Sequence, residues 1–422
     1  MTSLPRRRVH PAWLVAAVAF IALMGAAGFR AAPGALMIPL NDEFGWPIST
    51  MSTAVSLNIL LYGLTAPFAA ALIGRFGVRV VTMVALVLIA AGSGFTVFIT
   101  DQSLLYITWG LLIGLGSGSM ALVFAAEISN TWFVKRRGLV TGILSAGSAT
   151  GQLVFLPFVA ALAESTGWRE ASVLIAFIAL AVVPLVYFFI RNHPGDIGVD
   201  AYGAEPGTTP PRVRHTGAVM RAITGLRDAS KTGSFWALAA AFFICGATTN
   251  GLVGVHFIPS AHDHGMSLTV AAGLLAVVGV FDIVGTVASG WLTDRINPRY
   301  LLTGYYAFRG VGLAFLPLLL SDEIHPSIVI FVVVYGLDWV ATVPPTVALC
   351  REYFGDRAGI VFGWVFASHQ VGAAVAATAA GVVRDQFGDY AYAWIGGAVL
   401  CAVAAVFSYI VKPPRLGRWA TA

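Results

Sequence analysis

The sequence predicts an all-α polytopic membrane protein, with twelve transmembrane helices in two pseudo-symmetric six-helix bundles. Composition, the spacing of apolar runs and an internal repeat each point to it. Of 422 residues, 58% are hydrophobic and 11% charged, and the mean hydropathy is +0.82. A soluble protein carries about 25% charged residues, so this chain has too few polar groups to cover a surface in water. The apolar surplus must meet lipid. The 46 glycines agree, because small residues let transmembrane helices approach closely.

About 20 apolar residues cross a bilayer as a helix. Six such runs, spans 1–6, fall near 12–40, 49–73, 79–99, 104–129, 136–163 and 168–191. After a polar stretch, spans 7–12 fall near 235–260, 268–293, 299–320, 326–350, 357–383 and 390–411. The chain thus divides into an N-terminal bundle over 1–195, a cytoplasmic central loop over 196–232 and a C-terminal bundle over 233–422. Arg6, Arg7 and Arg8 precede span 1. The apolar stretch keeps helix-length hydrophobicity from about Pro11 to Leu40, longer than the apolar core of a signal peptide, so it reads as an uncleaved helix.

Charge placement tests this map independently. Only Arg169 and Arg384 fall on the outer side, and only Arg30 and Arg309 within spans; the rest of the 25 basic residues lie on one side. By the positive-inside rule that side is cytoplasmic and holds both termini. The net charge of +5 is therefore a topogenic signal, and no nucleic-acid partner is implied. The expected setting is a bacterial inner membrane, with the lipid bilayer as partner and the chain a monomer.

The sequence also matches itself at an offset of about half its length. After span 2 it reads Gly74-Arg75-Phe76-Gly77-Val78-Arg79, and after span 8 Asp294-Arg295-Ile296-Asn297-Pro298-Arg299. The loop into span 5 carries Trp132-Phe133, basic residues, Gly138 and Gly142; the loop into span 11 carries Tyr353-Phe354, Arg357, Gly359 and Gly363. Repeats of this kind place a substrate site near the bilayer midplane, between the halves.

The two halves and the run Gly290-Trp291-Leu292-Thr293-Asp294-Arg295-Ile296-Asn297-Pro298-Arg299 resemble the major facilitator superfamily. The resemblance implies a cytoplasmic gate at Arg75, Arg79, Asp294, Arg295 and Arg299, where an acid–arginine unit bridges helix ends in one transport state. The first-half copy has Gly74 in place of the acid and Ala70 in place of the leading glycine. Within the superfamily the chain looks most like the monocarboxylate transporters and the oxalate/formate antiporters. The carriers of that likeness are Gly28-Phe29-Arg30-Ala31-Ala32-Pro33, Asp42-Glu43-Phe44-Gly45-Trp46, Arg191-Asn192-His193-Pro194 and Val280-Phe281-Asp282-Ile283.

An ionisable side chain within a span costs several kcal/mol unless paired or hydrated, so each is a functional candidate. Arg30 lies well past the midpoint of span 1. It is always charged and can grip a carboxylate through two parallel hydrogen bonds. The resembled transporters place a cation one turn later, where Gly34 stands here, so Arg30 is the expected anion anchor; a side chain snorkelling to the outer interface is the plainer alternative. Asp282 matches the aspartate those transporters use in proton coupling, with Thr286 where their arginine stands. Asp338 sits midway along span 10, and either aspartate could carry the proton. Arg309 and Asp282 each lie about ten residues, or roughly 15 Å, from their shared loop. Arg309 could therefore form an intramembrane ion pair with Asp282, or equally with Asp338.

His369 stands where the antiporters have a lysine, and it could bind an anion when protonated near neutral pH. It and Gln370 join Arg30 as expected substrate-binding residues, together with Asn58, Gln152 and Asn250 on spans 2, 5 and 7. Each of those amides could instead hydrogen-bond between helices.

Other chemistries find little support. Gly114-Leu115-Gly116-Ser117-Gly118 has neither the strand nor the lysine of a nucleotide loop. Cys245, Cys350 and Cys401 are isolated, and His262-Asp263-His264 is too short for a metal site. No catalytic residue, metal or cofactor is expected. The sequence reads as a secondary transporter for small organic anions, with symport of protons and monocarboxylates leading. Anion exchange and efflux of hydrophobic solutes are the transport alternatives, and a membrane sensor is the alternative outside transport.

Overall fold

The computed structural model describes residues 10–120, 122–205, 207 and 218–412. Arg6, Arg7, Arg8, Arg212, Arg214, Arg415 and Arg418 lie outside the described residues, as do the side chains of Arg221 and Gln152. Eleven helical segments among the described residues are long and apolar enough to cross a bilayer. Arg137–Ser165, at span 5, adds a helix of 29 residues. One isolated bridge, Phe133 to Tyr202, is the only β pairing among the described residues.

The spans fall into three structural kinds, in an order that repeats every third helix. Spans 2, 5, 8 and 11 are long and unbroken: Ile48–Phe76, Arg137–Ser165, Leu268–Thr293 and Ala358–Phe387. Spans 3, 6, 9 and 12 are shorter: Val78–Thr96, Trp168–Phe189, Pro298–Leu319 and Ala391–Ile410. These outer helices turn bulky apolar side chains such as Phe177, Phe308 and Leu318 outward, where lipid is their solvent.

Spans 1, 4, 7 and 10 are all interrupted. Span 1 runs Pro11–Ala31 and resumes at Pro33–Phe44, because proline has no N–H to continue the ladder. Span 4 contains a wide turn at Tyr106–Ile113 and leaves helical geometry at Met120. A second wide turn, Ala247–Val253, interrupts span 7. Span 10 stops at Asp338 and restarts at Val343, where Pro344 and Pro345 fit a first turn whose N–H groups are unpaired anyway. Interruptions of this type free backbone groups and commonly mark functional hinges.

Within the first bundle, span 1 packs on spans 5 and 6, span 2 on span 4, and span 3 on spans 4 and 6. Within the second, span 7 packs on spans 11 and 12, span 8 on span 10, and span 9 on span 12. The bundles meet where span 2 lies along span 11, span 5 along span 8, and Pro33–Phe44 of span 1 along Gly254–Asp263 of span 7. Backbones come very close in this packing. A Cβ on Gly285 would overlap the Leu337 carbonyl oxygen, and one on Gly246 would overlap that of His369.

Contacts between bundles concentrate toward the end opposite the termini. Ser56 donates to the Ala374 carbonyl at 2.6 Å and accepts from Thr378 at 2.8 Å. At the terminus-bearing end of spans 5, 8 and 11, Gly142, Gly290, Gly359 and Gly363 have open space where a Cβ would stand. The central segment, expected as a loop, contains the helix Ala218–Ala229. Leu226 and the buried Ala229 join the core of the second bundle, while Met220 and Ile223 are exposed, and the helix packs against spans 2 and 11. Trp364 donates to its Ala222 carbonyl at 2.9 Å, and Arg357 meets Asp228 at 2.8 Å.

Candidate substrate cavity

A small polar cavity lies between the bundles, at the break in span 1. It is lined by Arg30, Ala31 and Gly34 from span 1, Val55 and Ile59 from span 2, Asn250, Gly254 and Val255 from span 7, and Gln370 from span 11. Its free volume is about 40 Å³, room for a carboxylate head and far below the 300 Å³ or more that drug-sized ligands occupy. Arg30, Asn250 and Gln370 thus come together from three helices distant in sequence.

Arg30 is half-buried in the last turn before Ala32, and its guanidinium lies 4.3 Å from the centroid of the Tyr62 ring. Among the described residues it has neither a carboxylate partner nor a hydrogen-bond acceptor. The face of an aromatic ring attracts the cation without consuming its N–H donors. Those donors remain available to an anion. Tyr62 was not among the expected site residues. Its only sequence signal is its place one turn after Asn58 in span 2, which does not separate it from ordinary core aromatics.

Asn58 and His369 are buried and do not line this cavity. Asn58 donates to the Trp109 carbonyl at 2.7 Å, inside the first bundle. His369 sits between Phe242, 4.9 Å away, and the stacked ring of Phe366 at 5.7 Å, beside the Cys245 thiol. His256, in the segment Gly254–Asp263 of span 7, is held by Tyr390 and the Ala377 carbonyl.

A second polar cluster lies around the break in span 10. Arg309 pairs with Asp338, Nε to Oδ2 at 2.5 Å, and both side chains are buried. The same guanidinium donates to the Asp338 carbonyl at 2.8 Å and to the Cys245 sulfur at 3.1 Å. Asp282 is not its ion-pair partner. That carboxylate accepts from Thr286 and from the Val340 N–H, each at 3.0 Å. Ser289 donates to the Ala341 carbonyl at 2.5 Å, and Tyr335 donates to the Thr248 carbonyl in the wide turn of span 7 at 2.7 Å. The polar residues of spans 8, 9 and 10 therefore satisfy the backbone that the interruptions expose, as buried peptide groups require.

The loop arginines stay within their own bundles. Arg79 lies over the Tyr187 ring at 4.3 Å and Arg75 over Phe76 at 5.1 Å. Arg295 donates to the Trp291 carbonyl and Arg299 to the Val411 carbonyl, both at 2.9 Å. Among the described residues Asp294 forms no ion pair, so the loop after span 8 makes no acid–arginine bridge here. Nor do they hold any group of three His, Cys, Asp or Glu side chains arranged for a metal.

Comparison with known proteins agrees with this architecture. The chain is 27% identical to monocarboxylate transporter 13 of Bos taurus, over 93% of this chain and 88% of the relative. It is 25% identical to an uncharacterized MFS-type transporter, YcxA, of Bacillus subtilis (strain 168), over 90% of each chain. Among solved structures, a bacterial homolog of the human lysosomal transporter Spinster, in an inward-facing and unoccupied conformation, superposes with a TM-score of 0.70. That match is 16% identical in sequence and covers 95% of this chain and 96% of the other. The sequence profile of the Major Facilitator Superfamily matches residues 16–376. This chain belongs to the Major Facilitator Superfamily, and it is a secondary transporter that works by alternating access.

Proposed function

We propose that the chain carries small organic anions, monocarboxylates first among them, together with protons. One observation carries the reading: an arginine with no acid partner among the described residues lines the cavity between the bundles, beside two amide side chains. A guanidinium there offers parallel N–H donors that match a carboxylate, while Asn250 and Gln370 supply further donors for its oxygens. The small volume favours a small acid over a bulky hydrophobic solute. The relatives named monocarboxylate transporters point the same way.

Asp282 is the stronger proton carrier of the two aspartates. Its carboxylate holds the Val340 N–H at the break in span 10, so neutralising it weakens a charge-assisted bond where that helix must flex. Asp338 is already bound to Arg309. The bodies that rock are the bundles over 1–195 and 233–422, joined through 196–232, in a bacterial inner membrane with cytoplasmic termini.

The test is uptake of labelled carboxylates into proteoliposomes, with and without an inward-acid pH gradient, comparing wild type with Arg30→Gln. Accumulation of one acid, driven by the gradient and lost in the variant, is the expected result. Uptake that survives in the variant removes Arg30 from the site. Uptake that needs an internal anion and ignores the gradient replaces symport with exchange.

A further inference from the structure

The outer ends of the two bundles are tied by a reciprocal pair of carboxylates. Span 2 begins at Ile48 behind Pro47, which offers no side-chain cap, so its first N–H groups have no acceptor of their own. Asp385, in the last turn of span 11, supplies both acceptors from the other bundle. Its Oδ1 accepts from the Ile48 N–H at 3.0 Å and its Oδ2 from the Ser49 N–H at 2.9 Å. One repeat away, Glu164 in the last turn of span 5 accepts from the Leu268 N–H at 2.5 Å and from the Thr269 hydroxyl, at the start of span 8. Spans 5 and 11 are repeat counterparts, and so are spans 2 and 8. The same device therefore operates in both directions across the interface.

Two further carboxylates at this end behave differently. Glu43 bonds to Arg169 at 2.6 Å and to the Trp168 ring N–H at 2.7 Å, within the first bundle. Asp263 meets Arg384 at 2.6 Å, within the second.

We infer that Glu164 and Asp385 are the latches of the outer gate. Each places a negative charge at the positive end of the other bundle's helix, where the macrodipole and the unpaired N–H groups favour it. Both pairs of contacts must break when the bundles rock to open the outer face. Glu43 and Asp263 ride with their own bundles and carry no such role.

Spin labels can read this without any substrate, so the outcome is independent of what the cavity carries. Nitroxides at Asp42→Cys and Gln386→Cys sit at exposed positions on opposite bundles, while the native cysteines are buried. In nanodiscs, the Glu164→Ala/Asp385→Ala pair should raise the ratio of long to short interspin distances by roughly tenfold, the scale of losing helix caps. Glu43→Ala should leave it unchanged. An unaltered ratio in the double variant overturns the inference, and so does an equal shift in Glu43→Ala. Should the alanine pair not yield folded protein, Glu164→Gln/Asp385→Asn removes the charges while keeping an acceptor. That pair should shift the ratio in the same direction by a smaller factor, and no shift overturns the inference equally.

Discussion

Arg30 and Arg309 are the same residue type at membrane depth, yet their surroundings give them opposite characters. Arg309 is fully enclosed, with its Nε on Asp338 and its other nitrogens on backbone carbonyls and a thiol. Arg30 is half-exposed to the cavity between the bundles, and the face of Tyr62 is its electrostatic partner. A guanidinium whose three nitrogens are all engaged holds structure together. One whose donors are free is poised for a ligand. Depth alone predicts neither role; the partner does.

The largest effect should come from breaking the enclosed pair. Removing one member leaves the other charged and buried, a loss of about 3–5 kcal/mol. Arg309→Leu should therefore lower the thermal stability of the purified protein sharply or prevent its recovery. Arg309→Leu/Asp338→Leu should regain most of that loss, because an apolar pair of similar volume replaces the ions at little net cost. A double variant as unstable as the single would mean that the backbone contacts of Arg309 around Trp339 matter more than the pairing.

Arg30→Gln should do the reverse. Stability should change by no more than about 2 kcal/mol, the scale of the ring contact with Tyr62, since no ion pair is broken. Anion affinity should fall roughly tenfold to hundredfold, the scale of hydrogen bonds to a charged group. If Arg30→Gln destabilised the fold as Arg309→Leu does, the contrast between the two arginines would fail.

Tyr62→Leu sharpens the same comparison with a smaller effect. It keeps the volume roughly constant and removes the ring face under Arg30, worth about 0.5–2 kcal/mol. Binding measured by tryptophan quenching or calorimetry should weaken by a few-fold, while the pH dependence of transport stays as in wild type. A change in pH profile without a change in affinity would assign Tyr62 to the proton path.

Much of this was legible in the sequence, for physical reasons. Hydrocarbon thickness sets helix length, so span positions follow from the apolar runs. Arg30, Asn250 and Gln370 stood out because polar groups are rare within spans. The pairing of Arg309 did not follow, because helices 8 and 10 offer aspartates at similar depth and only packing chooses between them. Asn58 looks like a cavity residue on the page but turns to Trp109 in its own bundle. The outer caps were invisible for a different reason. Asp385 and Glu164 bind main-chain groups of the other bundle, and a backbone N–H has no sequence signature.

The helix Ala218–Ala229 gives the smallest effect, and a contrast with the membrane pair. Asp228 bonds to Lys231 at 3.0 Å and to Arg357 of span 11 at 2.8 Å, in the open. The Lys231 hydrogen bond, followed by Arg357, holds its carboxyl below the ordinary value of 3.8. A carboxylate with a lowered folded pKa contributes above its unfolded pKa, and the contribution is lost as pH falls through the folded value. The contact between this helix and span 11 should thus be fully formed at neutral pH and weaken only below about pH 4. Limited proteolysis of the central segment should be unchanged between pH 7 and pH 5, and Asp228→Ala should speed it modestly at both. Exposed pairs contribute little and are screened by salt, so added salt should narrow the difference between wild type and Asp228→Ala. The enclosed Arg309–Asp338 pair, shielded from ions, should show no such response.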